Sequence, residues 1–270
     1  MAAPHPDRQR AARERLDQLF AYPAAVLAIH YACESFASGR GSDSPRITAI
    51  AATNLGTGET QAFSISAEAE LLHLPPLKIL ARLDELETAL LQKFFTFLAL
   101  SRAMRFVHWN MRNAVYGFEA LEHRSAVLGG QPIHIPDSQK LDLARLLTEI
   151  YGTGYVAQPA FETLARDNGL RMAGMLTGLA EPEAFVRGDY LAVQRSVLAK
   201  VGVIAELTKL THDRTLKTRA NWWTMNIGRA REAYELFDRN PVRAWAGLIF
   251  GGLGFGFLIL RTLAGWSGAG

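Results

Sequence analysis

The chain has 270 residues, with 29 Lys and Arg against 26 Asp and Glu, a net charge of +3. That length can hold one sizeable soluble domain plus a short appendage, and so mild a basic excess does not demand a nucleic-acid surface. The lone cysteine, Cys33, excludes an internal disulfide and a cysteine-rich zinc site, and fits a reducing cytoplasm.

Residues 6–20 read as a charged amphipathic helix, with Leu16, Leu19 and Phe20 on one side. The first twenty residues lack an apolar core, so no signal peptide is expected there. Ala24 to Phe36 is a buried-strand candidate, followed by a Gly/Ser turn. Arg46 to Asn54 and Thr60 to Ile65 read as two further strands, so the three form a meander. Ala67 to Leu100 has helical spacing, broken at Pro75-Pro76. A short strand is expected at Arg105 to Trp109, then a polar turn and a helix over 118–128. Ile133 to Ile135 is the candidate for a fifth short strand. Amphipathic helices follow over 141–152 and 159–170, the second ended by Asn168-Gly169. A long helix runs from Asp189 towards Thr211, and a last one over Ala220 to Phe237 carries Trp222 and Trp223. This order implies an α/β domain whose sheet begins as an antiparallel meander.

Trp245 to Leu260 then runs without a charge between Arg243 and Arg261. If Arg261 snorkels towards the headgroups, the helix extends to Trp266. The two edge tryptophans would then stand about 31 Å apart, close to the hydrocarbon thickness of a bilayer. The alternative is a buried core helix, which so much glycine would weaken in water. Between residues 214 and 243, seven cations (Arg214, Lys217, Arg219, Arg229, Arg231, Arg239 and Arg243) face only Glu232, Glu235 and Asp238. That bias places the preceding residues in the cytoplasm and makes the segment a single-pass tail anchor on a lipid bilayer. Gly247 with Gly251, and Gly252 with Gly256, are small-xxx-small pairs that would permit a homo-oligomer.

The succession from about residue 24 to 210 resembles the ribonuclease H-like fold of the DEDD 3′–5′ exonucleases, the proofreading family. The wording that carries this is Ala32-Cys33-Glu34-Ser35 closing the first strand, RITAIAATNL in the second, and VHWNMRNAVYGFEAL after the fourth. The resemblance implies a mixed sheet of three antiparallel strands plus parallel ones, flanked by helices. It also implies two divalent metals, Mg²⁺ or Mn²⁺, held by four carboxylates for phosphodiester hydrolysis. Here Glu34 matches the second acid of the first motif, but Ala32 stands where the first acid belongs. His108 and Asn110 match the second motif, whose acid is either Glu119 or is replaced by Gly117. At the spacing of the third motif stand Arg195 and Lys200, which are cations. Conventional two-metal hydrolysis is therefore not expected.

His30, Ala32 and Glu34 share one face of a strand. A buried Glu34 needs a partner, with Lys200 or His108 the candidates. A retained one-metal site would instead use Glu34, Glu119, His108 and His30. His212-Asp213 reads as a polar helix end, since neighbours on a helix point apart. Trp109, Trp222 and Trp223 either stack on bases or pack. P-loop, GxSxG, HExxH and CxxC signatures are missing.

The expected organisation is an N-terminal helix over 1–22, an exonuclease-like domain over 23–212, a basic juxtamembrane helix over 213–242 and a transmembrane helix over 243–266. The preferred expectation is a pseudoenzyme that binds single-stranded nucleic acid or a protein through Asn110, Arg195 and Lys200. One rival is an active nuclease with a role such as defence, with Glu34, His108 and Glu119 catalytic and Glu34 and Glu119 as metal ligands. Another is an oligomerising membrane scaffold with no nucleic-acid role.

Overall fold

The computed structural model describes residues 4–34, 45–112 and 116–220, all within one compact unit, Met1–Ala220. The helix expected over 220–237, the membrane segment and its glycine pairs lie outside the described residues, apart from Ala220. Among the described residues, no helix is long and apolar enough to cross a membrane.

The architecture is α/β, a five-stranded mixed sheet flanked by helices. In chain order the elements are α1 (Pro6–Phe20), β1 (Val26–Cys33), β2 (Ile47–Asn54), β3 (Thr60–Ser64), α2 (Ile65–Leu71), α3 (Pro76–Ile79), α4 (Leu83–Leu100), β4 (Arg105–His108), α5 (Phe118–Val127), β5 (Lys140–Asp142), α6 (Leu143–Tyr151), α7 (Ala160–Asp167), α8 (Ala180–Val186) and α9 (Tyr190–His212). The strands lie in the order β3-β2-β1-β4-β5. β1, β2 and β3 form the antiparallel meander, while β4 runs parallel to β1 and β5 parallel to β4.

The two central meander strands are apolar almost throughout because both of their faces are covered. Adjacent residues of β3 point to opposite faces, and they show which helix lies on which side. Phe63 packs edge-on against Phe94 of α4, whereas the Ser64 hydroxyl donates to Gln194 Oε1 of α9. The core thus has two layers, with α4 on one side and α9 lying over β1 and β2 on the other. α1 joins the α9 layer by burying Ala12, Leu16 and Leu19. Gln9 donates to the Ile150 carbonyl and Arg13 to that of Thr211.

The β2–β3 turn depends on Asn54 and Gly56. Asn54 Nδ2 donates to the Ala24 carbonyl, and its Oδ1 accepts from the amides of Gly56 and Thr57. This draws the turn against residue 24, where a Cβ on Gly56 would stand 2.6 Å from the Ala24 nitrogen. The obstacle is backbone on both sides, so neither partner can rotate away. Gly56→Ala is expected to destabilise the fold by about 1–3 kcal/mol, measured as a lowered urea midpoint with an unchanged m-value.

Several expected boundaries shift for local reasons. The first strand begins two residues late, because Pro23–Ala25 form a 3₁₀ turn. Ile65 opens α2 rather than closing β3, since Ser64 caps that helix by accepting from the Ala67 amide. The helix over 67–100 breaks before its prolines, at His73 with φ +48°. The fifth strand is a correction: it lies at Lys140–Asp142, not at Ile133–Ile135. The Asp142 carboxylate caps α6 by accepting from the Ala144 and Arg145 amides. Residues 140–142 are thereby kept out of the helix and left to pair with β4, His108 opposite Asp142. α8 has no counterpart in the sequence reading.

Candidate functional site

Parallel strands place their functional groups at their C-terminal ends; here β4 ends at His108 beside the middle of β1, which runs on to Cys33. Two cavities open there and share His30 and Lys200. The larger, about 650 Å³, is lined also by Trp109, Asn110, Arg112, Arg145 and Phe161. The smaller, about 400 Å³, includes Cys33, Glu34, Tyr116 and Glu181.

The chain turns sharply after β4. Asn110 sits in the left-handed region at φ +58°, which asparagine tolerates better than most residues. The Met111 amide then donates back to His108 Nδ1, so the His108 proton belongs on Nε2. Arg112 Nε approaches Asp142 Oδ2 at 2.6 Å, although that oxygen receives no well-directed hydrogen bond. The turn also carries Trp109 outward to meet Phe161 of α7, ring centroids 5.1 Å apart.

The Glu34 carboxylate is indeed ion-paired, but neither with Lys200 nor with His108. Its partner is Arg46, whose Nη1 lies 3.0 Å from Glu34 Oε1. Arg46 opens the second strand, and its carbonyl accepts the Glu34 amide. Antiparallel pairing therefore delivers the guanidinium to the carboxylate. Lys200 is engaged elsewhere: its Nζ lies 2.9 Å from Glu181 Oε2, while Ser196 donates to Glu181 Oε1 at 2.6 Å. Glu181 comes from the unforeseen α8, which is why the sequence did not reveal the pair.

The local electrostatics keep these groups unreactive at neutral pH. Burial, with Lys200 adding to it, lowers the pKa of His30 to about 3. Burial lowers His108 to about 4 against the opposing pull of Asp142. The Cys33 thiol is pushed up to about 12 by burial and then by Glu181 and Glu34, so it is a poor nucleophile. Tyr31 and Tyr116 are raised by burial as well. Tyr116 donates to the Tyr31 carbonyl at 3.1 Å, and the two rings stack with centroids 4.6 Å apart.

The site residues expected from the sequence are divided among several places. Asn110 and Lys200 share the larger cavity. Glu34 lines the smaller one. His108 and Glu119 meet in a third, about 440 Å³, beside Lys140 and Asp142. Arg195 lines a fourth, with Arg171 and Lys209. Five residues apart on a helix means about 140° of rotation, so Arg195 and Lys200 face different ways. Glu34 and Glu119, a pair if metal were held, line separate cavities, and Glu34 already carries a guanidinium. Among the described residues, no group of three or more His, Cys, Asp or Glu is placed to hold a metal ion. The donor set that surrounds Glu34 thus does not fit a pair of divalent metals.

His212 and Asp213 do touch, Nδ1 to Oδ1 at 3.0 Å, because Asp213 lies just beyond the helix end where neighbours need not diverge. The His212 ring also stacks on Phe20, centroids 4.1 Å apart, fastening α1 to the end of α9. Sequence reasoning missed Arg46, Arg112, Arg145, Phe161 and Glu181. Of these only Arg46 carried a signal, as the cation opening the strand paired with Glu34. In comparisons with known proteins, the chain matches no family model, no curated protein and no solved structure.

Proposed function

We propose that residues 23–212 are a ribonuclease H-like, exonuclease-like domain that binds single-stranded nucleic acid without hydrolysing it, held at a membrane by the C-terminal segment. The three-strand meander continued by parallel strands supports the fold part of this reading. One observation carries the binding part: the larger cavity combines the Trp109–Phe161 aromatic pair with Arg112, Arg145 and Lys200. Aromatic faces stack on bases of any sequence, and cations along the same groove track phosphates. Arg112 and Arg145 are about half exposed or more. Their ion pairs are therefore readily exchanged for a phosphate.

Loss of hydrolysis follows from charge. An ammonium at Lys200 stands where the family resemblance would put a metal-binding carboxylate, and the Arg46 guanidinium sits on the Glu34 carboxylate where a metal would have to bind. A cation supplies no oxygen ligand for Mg²⁺ or Mn²⁺.

The test is a titration of the full chain in detergent with labelled single-stranded DNA and RNA at several salt concentrations, with Mg²⁺ or Mn²⁺ present. Binding is expected to weaken with salt, with a log–log slope of about −2 if all three cations meet phosphates. Trp109→Ala is expected to cost about 1–3 kcal/mol of that binding. Salt-insensitive or absent binding would refute the proposal. Metal-dependent cleavage abolished by Glu34→Gln would replace it with an active nuclease.

A further inference from the structure

A cleft of about 780 Å³ lies between the middle of α9, the 170–174 segment and the β2–β3 hairpin. Its size suits a small-molecule ligand. It shares no lining residue with the cavities around Asn110, Glu34 and His108. The floor is aliphatic, made by Leu170, Leu198, Ala199, Gly202 and Val203. Among the described residues no aromatic ring lines it, so a base would find nothing to stack on. Gly202 stands in the interior of a 23-residue helix, where glycine is less favourable than alanine. Close packing against a neighbour does not account for it, because a Cβ there would meet no atom within 4 Å. The glycine keeps open space in the cleft.

Charge narrows the occupant. Arg171, Arg195 and Lys209 line the cleft, with Glu206 as its one carboxylate among the described residues, so three cations against one anion leave +2. Lys209 and Glu206 pair with each other, Nζ to Oε1 at 3.2 Å. The next carboxylates along the chain, Glu59, Asp167 and Asp189, do not line it. Glu59 accepts from the Gln61 side chain and Asp189 from the Ala192 amide. Among the described residues, Arg171 and Arg195 form no ion pair and no hydrogen bond. The 170–174 segment lies against the second of them, since a Cβ on Gly174 would stand 3.7 Å from Arg195 Cβ. Guanidiniums grip phosphate oxygens two at a time. A phosphate monoester carries about −1.5 to −2 near neutral pH, which balances both arginines. Arg195, Leu198, Ala199 and Gly202 follow one face of α9. A chain attached to the phosphate would therefore run along the aliphatic floor.

We propose that this cleft binds a small amphiphile, a phosphate monoester on a single aliphatic chain, with its head at Arg171 and Arg195 and its chain passing Gly202. The test is photolabelling of the full chain, in a non-ionic detergent, by octyl phosphate that bears a terminal diazirine. Peptide mass spectrometry then locates the label. Labelling is expected within residues 198–206, displaced by octyl phosphate at far lower concentration than by octanol or inorganic phosphate. Arg171→Gln combined with Arg195→Gln is expected to weaken it about tenfold or more. Gly202→Leu is expected to abolish it without lowering the urea midpoint, because the new side chain fills the cleft and not the core. Should that variant fail to fold, the two exposed arginines decide alone. Label placed elsewhere, label undiminished by the arginine substitutions, or equal displacement by octanol would overturn the proposal. Equal displacement by inorganic phosphate would overturn it by leaving an anion site without a chain site, and equal displacement by octanoate would remove the phosphate. Displacement by a 5′-phosphorylated oligonucleotide but not by octyl phosphate would overturn it and assign the cleft to nucleic acid.

Discussion

Glu87→Gln is expected to cost roughly 3–5 kcal/mol of stability, the range for breaking a buried ion pair by removing one partner. The Glu87 side chain is 0% exposed. Arg124 grips it with two bonds, Nε to Oε1 at 2.8 Å and Nη2 to Oε2 at 2.6 Å. The Ile47 amide donates to the same Oε1 at 2.7 Å, and Arg46 Nε stands 3.5 Å from Oε2. Glu87 thus links two guanidiniums, whose charge it shares with Glu34 and with Asp84 at the rim, both bound by Arg46. Glutamine keeps the volume, but its amide nitrogen would face a donor and the charge would be gone. Arg46 would then turn on Glu34 and Asp84 alone, so the effect reaches the candidate site. Urea unfolding of residues 1–220 measures the loss. Combining Glu87→Gln with Arg124→Met is expected to cost less than the two changes summed, because the groups form one network. A single-variant loss below about 1 kcal/mol, or strict additivity, would refute this account.

The same network shows what the sequence could and could not disclose. The central strands were legible because an apolar run of seven or eight residues, bounded by turn formers, has few other solutions. The long helices were legible from their period. Glu34 was marked as an acid in need of a cation on desolvation grounds, and the structure shows it partly buried and ion-paired. Which cation it takes depends on strand pairing, and Arg46 lies opposite Glu34 in the antiparallel pair, its carbonyl accepting the Glu34 amide. Lys200 looked eligible from spacing, yet its position is set by Glu181 on a seven-residue helix with little periodic signal. The misplaced fifth strand has a related cause: three residues are too few for a pattern, and only the cap made by Asp142 separates strand from helix. The larger cavity joins Trp109 to Phe161, 52 residues further on. No local pattern announces such a contact.

Acidification from pH 6.5 to pH 5 is expected to destabilise the domain by about 2 kcal/mol for each of His30 and His108. Both rings are held neutral in the fold, with pKa values lowered to about 3 and about 4. In the unfolded chain each titrates near 6.5. Above that value neither state binds a proton, and the histidines add no pH dependence. Below it the unfolded chain takes up protons that the fold refuses, so stability falls by about 1.4 kcal/mol per pH unit and group until the folded pKa is reached. His30 is buried and faces Lys200, which disfavours a second positive charge there. His108 has Lys140 and Arg112 against the single favourable Asp142. Most carboxylates stay ionised down to pH 5, but burial raises the pKa of Glu87 and its protonation would act in the opposite direction, so the imidazole share is read from the histidine substitutions. The check is a set of urea transitions on residues 1–220 at pH 7.5, 6.5 and 5. His108→Gln should remove about half of the loss between the last two, and adding His30→Gln most of the remainder. A flat response in the parent, or a slope that survives both substitutions, would mean that these rings accept protons within the fold. The larger cavity, which His30 borders, would then gain positive charge on mild acidification, and nucleic-acid binding would tighten with it rather than stay level.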